Sequence, residues 1–184
     1  PMWFATQYRA VTGKDYTTFI NRFVSTAGKT GKGLAVLRDN GGAGNMIDLY
    51  VLQKATETHL ERASYAFKKE LVEFMDKYRM ITDELTVVDG VVRTLDIVCS
   101  LYLDSNKTLS SDETRQRVAG LISDYFATTS LDFGTPLLLS DLINYVLQDE
   151  GVRFFTIDNY QNDIYVDFNE IVQLNNVELN VQFV

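Results

Sequence analysis

Gly28-Lys29-Thr30 is where this 184-residue chain comes nearest to a catalytic motif. A Gly-rich loop with Lys and Thr can cradle phosphate through backbone amides. Spacing and context oppose that chemistry: the first glycine of a phosphate loop falls at Phe23, and the segment leads into a strand-like run, Leu34 to Leu37, where the motif requires a helix N-terminus. A basic turn is the simpler reading. The rival is a small ligand-binding or enzymatic module that holds an anion at Gly28 to Gly33.

His59 is the only histidine, so a histidine-bearing triad or a multi-histidine metal site has no second member. Asp158, Asn159, Asn162 and Asp163 could offer oxygens to a hard cation, but Tyr160 breaks the calcium-loop spacing and the required glycine is missing. A solvated turn fits better. Of the paired carboxylates, Asp112-Glu113 sits in a first helical turn, where negative charge complements the helix dipole. Asp149-Glu150 falls at a helix C-terminus, a mildly unfavourable place. Arg115, Arg117 and Asp124 read as the wet face of their helix. Cys99 is a lone thiol on an inward-reading strand face, which precludes an intrachain disulfide. No catalytic, cofactor-binding or metal-ligating residue is assigned, no cofactor is expected, and the chain is read as not an enzyme.

The elements that carry these residues follow from periodicity. Trp3 to Val11 reads as a strand. Thr12 and Asp15 resemble a capping box before Tyr16, Phe19, Ile20, Phe23 and Val24 at helical spacing. A Gly-rich turn, Gly28 to Gly33, leads to strands at Leu34 to Leu37 and Ile47 to Leu52, joined by a glycine-rich loop from Asn40 to Asn45. Leu60, Ala63, Phe67, Leu71, Phe74 and Tyr78 predict a long helix from about His59 to Tyr78. Leu85 to Val88 is a further strand. The order β-α-β-β-α-β is that of a ferredoxin-like domain, with two helices on one face of an antiparallel sheet.

Asp89-Gly90 signals a turn. A strand from Val91 to Leu103 follows, with Arg93, Leu95, Ile97, Cys99, Leu101 and Leu103 on one face. Ser110 and Glu113 suggest a second capping box before a helix to Phe126. Gly134 and Pro136 separate it from a short helix, capped by Ser140 or a neighbour and ended by Gly151. Strands are expected at Val152 to Ile157, Ile164 to Phe168 and Val177 to Phe183, the last alternating apolar and polar. The fold class is therefore α+β in two small subdomains: residues 1–88 ferredoxin-like, and residues 89–184 an antiparallel sheet covered by two helices.

Folding a chain of this length buries about 70% of its extended surface, enough for a core without staples. The 17 basic and 25 acidic residues give a net charge of −8 and a pI near 4.6, which opposes general electrostatic binding to nucleic acid. No apolar run reaches the roughly 20 residues of a membrane span, and no signal-peptide pattern opens the chain. No nucleic acid or membrane partner is expected. Because Pro1-Met2-Trp3-Phe4 lacks a leading methionine, the chain reads as a fragment of a longer polypeptide. With 10 Tyr and 11 Phe, some rings must be exposed, and Tyr102, Tyr160 and Tyr165 fall out of phase with the core. Tyrosine suits interfaces because an apolar ring ends in a water-tolerant hydroxyl, so these residues are candidate interface positions.

Four phrases add a resemblance. Tyr8 to Tyr16 resembles the "RAVT, two residues, DY" opening of the baseplate J-like proteins of contractile phage tails. Leu71 to Val88, with Arg79 and Thr82-Asp83-Glu84-Leu85, resembles the helix-ending phrase of that family. Asp112 to Phe126, Phe133-Gly134, Leu139-Ser140-Asp141-Leu142 and Gly151-Val152 match its C-terminal pattern, and Asn169 to Leu174 resembles its "EI-x-x-L" phrase. The similarity is greatest to the C-terminal part of the T4-type baseplate wedge subunits. The departures are Met80-Ile81, where many members carry Leu, and the Asn40 to Asn45 loop. The resemblance implies a structural protein of the virion tail baseplate, assembled in the host cytoplasm. Copies would pair as a homodimer or ring and bind other wedge proteins around the tail hub. The same family also serves non-viral contractile injection systems.

Overall fold

Thr12 and Asp15 begin the first helix by local chemistry alone. The Thr12 hydroxyl accepts the Asp15 N–H at 3.2 Å and the Asp15 carboxylate accepts the Thr12 N–H at 2.9 Å, so two otherwise orphaned donors are satisfied. In this computed structural model, which describes residues 9–38, 41, 44–107, 110–128 and 130–184, the cap opens α1, Gly13–Arg22. The chain divides into two compact units, Pro1–Val91 and Val92–Val184.

In the first unit, α1 is followed by β1 (Val24–Ser25), β2 (Gly28–Arg38), β3 (Asn45–Lys54), β4 (Leu60–Arg62), α2 (Tyr65–Met75) and β5 (Asp83–Asp89). β3 is the central strand. β2 pairs it antiparallel on one edge, and β5 in parallel and β4 antiparallel share the other. Alternation along β3 sends Ile47, Leu49 and Val51 into a core with Tyr16, Phe19 and Ile20 of α1 and Phe67, Leu71 and Met75 of α2. Rings fill the space between the helices, with Phe19 stacked on Tyr78 at 4.7 Å and Phe23 edge-on to Phe67 at 5.3 Å.

The strand order departs from the ferredoxin-like one. That order pairs the strand after the second helix with the strand before the first, whereas here β5 lies directly against β3. A helical crossover between β3 and β5 delivers two strands running the same way, which pair in parallel. Of the strand expected at Trp3 to Val11, Trp3 to Tyr8 lie outside the described residues and Arg9 to Val11 are not in a strand. The second helix is shorter than its periodicity implies. Leu60 belongs to β4, and the Ser64 hydroxyl, accepting the Phe67 N–H at 3.2 Å, caps α2 only from Tyr65.

The second unit contains β6 (Val91–Leu103), α3 (Ser111–Tyr125), α4 (Leu139–Val146), β7 (Val152–Ile157) and β8 (Glu170–Phe183), with strand order β7-β6-β8. Leu95, Ile97, Cys99, Leu101 and Leu103 of β6 are buried, as are Val118 and Ile122 of α3 and Leu142 and Val146 of α4. Arg93, expected on that face, is exposed and donates to the Tyr165 carbonyl at 3.2 Å. β7 runs antiparallel to β6, but β8 runs with it: Val184 donates to the Leu103 carbonyl and Asn175 reaches Asp96, so the ends of both strands coincide. The sheet is mixed and not purely antiparallel, because α3, α4 and β7 intervene between β6 and β8 and let the chain re-enter in the same direction. Ile164 to Phe168 forms no strand, only a bridge from Ile164 to Leu137. Ser110 caps α3 with its hydroxyl, which accepts the Glu113 N–H at 3.4 Å, one half of the expected box. α4 has no local side-chain cap, and its Leu139 N–H is taken by Asp163 at 2.8 Å.

Candidate assembly surfaces

The first and second family-like phrases meet inside the first unit. Tyr16, fully buried on α1, donates its hydroxyl to Asp83 at 2.5 Å across 67 residues of sequence, and the same oxygen accepts the Met80 N–H at 3.3 Å. Asn45 donates to the other Asp83 oxygen at 3.0 Å, and Arg79 donates to the Asp83 carbonyl at 2.7 Å. Burial, then the acceptance of its proton by Asp83, pushes the Tyr16 phenol above its ordinary value, so it stays a donor. This network pins α1, the start of β3 and the α2–β5 turn together. It is a lock for the fold, with each partner already engaged.

The residues that suggested chemistry are likewise committed to structure. Gly31 and Gly33 stand within β2 because a Cβ there would come within 2.2 Å of Leu60 and 2.3 Å of Ile20 respectively, so their glycine character serves close packing. His59 contacts Thr58 at 2.9 Å, and among the described residues no group of three or more His, Cys, Asp or Glu is placed to hold a metal. Asp158 accepts the hydroxyls of Ser100 at 2.6 Å and Thr156 at 2.9 Å, while the Asn159 amide bonds Val98 N–H and Asp96 C=O of β6. Asp149, which had no evident role, pairs with Arg117 at 2.9 Å and accepts the Gly151 N–H at 2.9 Å. The Arg117 guanidinium, chiefly, holds the Asp149 carboxyl below the usual carboxylate range. Burial pushes the Cys99 thiol up to about 12, which opposes thiolate chemistry.

What the surface does offer is aromatic rings and sheet edges. Tyr102 lies half-buried on β6, directly across from Phe154 of β7. Phe154 is 57% exposed because Arg153 forms a bulge between the Tyr102–Phe154 and Leu103–Val152 pairs, which shifts the strand phase and turns Phe155 inward instead. The Arg153 guanidinium sits 5.7 Å from the Phe154 ring centre. Tyr165 is 69% exposed beside Arg93, and half-buried Tyr160 follows the Asn159 clamp on β6. Tyr102 and Arg93 sit nine positions apart on β6, roughly 30 Å. The three tyrosines are therefore strung along β6 and not gathered in one patch.

The two sheets treat their edges differently. The outer edge of β2 is closed by α1: Asn21 exchanges two hydrogen bonds with the Gly33 backbone, at 2.9 and 3.0 Å, and Thr17 accepts the Ala35 N–H at 2.9 Å. Side chains one helical turn apart thus satisfy backbone groups that would otherwise template another strand. β8 lies at the border of its sheet, and among the described residues no strand covers its outer side.

No protein-family model matches the chain, and no curated protein matches it. Among solved structures, it is similar in fold to a chain of the cryo-EM structure of the anti-feeding prophage (AFP) baseplate, 6-fold symmetrised, with a TM-score of 0.57 and 11% sequence identity. The match covers 94% of this chain but 39% of that one, so this chain spans about two fifths of the length of its neighbour. The match therefore spans the residues of both units and part of a chain in a baseplate structure.

Proposed function

We propose that the chain is a structural component of a contractile-tail baseplate, the counterpart of the C-terminal part of a wedge subunit. It would associate with itself and with neighbouring wedge proteins in the ring around the tail hub. The observation that carries this reading is a fold shared over nearly the whole chain with a baseplate chain. The phrases that resemble the baseplate J-like proteins agree with this reading, and two of them meet in the Tyr16–Asp83 lock. Exposed rings at Phe154 and Tyr165, with half-buried Tyr102 and Tyr160, suit a protein that acts by contact. The proposed location is the tail baseplate of a virion assembled in the host cytoplasm, and an equivalent place in a non-viral contractile injection system is the alternative setting. The rival anion-binding module is disfavoured by the tight approach of Leu60 and Ile20 to the β2 glycines. Native mass spectrometry of the chain mixed with the neighbouring baseplate subunits tests the proposal. Defined complexes are expected, and a chain that stays apart from each of them would overturn it.

A further inference from the structure

The backbone of β8 sets the geometry of its open edge. Val184 turns both backbone groups toward β6, donating to Leu103 at 3.0 Å and accepting from Ser105 at 3.4 Å. Strand alternation then points the backbone groups of Val177, Leu179, Val181 and Phe183 outward. These are the apolar positions, and between them lie Glu178, Asn180 and Gln182, so the segment reads apolar and polar by turns from either end. Phe183 is 52% exposed, and the segment has no Lys or Pro of the kind that guards an edge.

We propose that two copies of this chain join through this edge, pairing Val177 to Phe183 antiparallel about a two-fold axis at Asn180. The inference rests on the self-association proposed above and names its seat. In that register Val177 faces Phe183 of the second copy and Leu179 faces Val181, each pair exchanging both N–H to O=C bonds. Glu178 faces Gln182, so the single charge of the segment meets no like charge. Asn180 meets its own copy as a close, non-hydrogen-bonded pair, where side-chain amides can bond each other. Shifting the axis to Leu179 sets Phe183 against Asn175 and loses this match. Each residue contacts its counterpart reciprocally, as a closed two-fold interface requires.

The test uses sedimentation equilibrium and mild oxidation on the whole chain. Val181→Pro removes an outward N–H while leaving the ladder to β6 untouched, and is expected to weaken the dimer about a hundredfold with an unchanged circular dichroism spectrum. Asn180→Cys is expected to form a covalent dimer with itself. Glu178→Cys and Gln182→Cys are expected to cross-link when mixed but not singly. The native Cys99 is fully buried and leaves the introduced thiol as the reactive one. A dimer that persists in Val181→Pro, with Asn180→Cys unlinked, overturns this edge while leaving self-association standing. A chain that remains monomeric at high micromolar concentration overturns both.

Discussion

Removing one oxygen from Tyr16 tests the lock that joins the family-like phrases. In Tyr16→Phe the ring still fills its fully buried place, but Asp83, 2% exposed, loses the donor at 2.5 Å and the Met80 N–H loses its acceptor. A hydrogen bond to a charged group contributes about 1.5–3 kcal/mol, and the buried acceptor left behind keeps its desolvation cost. The expected loss is therefore about 2–3 kcal/mol, equivalent to a fall of roughly 8–24 °C in the Tm of a unit this size. Urea unfolding followed by circular dichroism measures it, with amide exchange of Ile20 and Leu85 reporting on the first unit. The same substitution on an Asp83→Asn background is expected to cost less than half as much, because the strong acceptor is already gone. A loss below about 0.5 kcal/mol, or equal losses on both backgrounds, would refute the reasoning.

Gly33→Ala is expected to destabilise by about 1–3 kcal/mol, since the new methyl meets stiff, β-branched Ile20 and pushes α1 back, stretching the Asn21 bonds to the residue 33 backbone; thermal melting checks it. Asp149→Asn should cost stability at neutral pH. Because the folded Asp149 carboxyl is held low, that cost is full above the unfolded carboxylate value of about 3.9 and vanishes as pH falls through the folded value, which urea titrations at stepped pH will show. Phe154→Ser removes an exposed ring and is expected to leave Tm within about 1 °C while weakening binding to baseplate partners at least tenfold by calorimetry.

Local chemistry was legible in the sequence and distant pairing was not. The Thr12–Asp15 box and the Ser110 cap act within one turn, and α1 and α3 begin where they predict. Leu60 and Ala63 continue the stripe of Phe67 and Leu71 in register, so the stripe ran past the real start of α2. Ser64 was the overlooked signal, a capping hydroxyl inside an apolar pattern. Whether β5 settles beside β3 or beside an earlier strand depends on the path of α2 across the sheet, which periodicity does not encode. The direction of β8 is set in the same way, by the elements between it and β6.

The candidate site shows the same division. Tyr102 and Tyr165 lie on the surface because strand alternation and a polar loop put them there, whereas Phe154 required a bulge that no Gly or Pro marks. The pairing of Asp149 with Arg117 also links the middle of α3 to the segment after α4, 32 residues apart, and is invisible to local spacing. The polar loop residues make contacts of the same long-range kind: Asp158, Asn159 and Asp163 each bond a segment distant in sequence.

If the chain is a fixed part of a baseplate, as proposed, it has a set place in every assembled tail. Cryo-electron microscopy of tail particles carrying an affinity-tagged copy, decorated with an antibody fragment, tests it most directly. Label is expected in a ring at the end of the tail, around the hub, in every assembled particle; label that is absent from particles and stays with free protein would overturn the proposal.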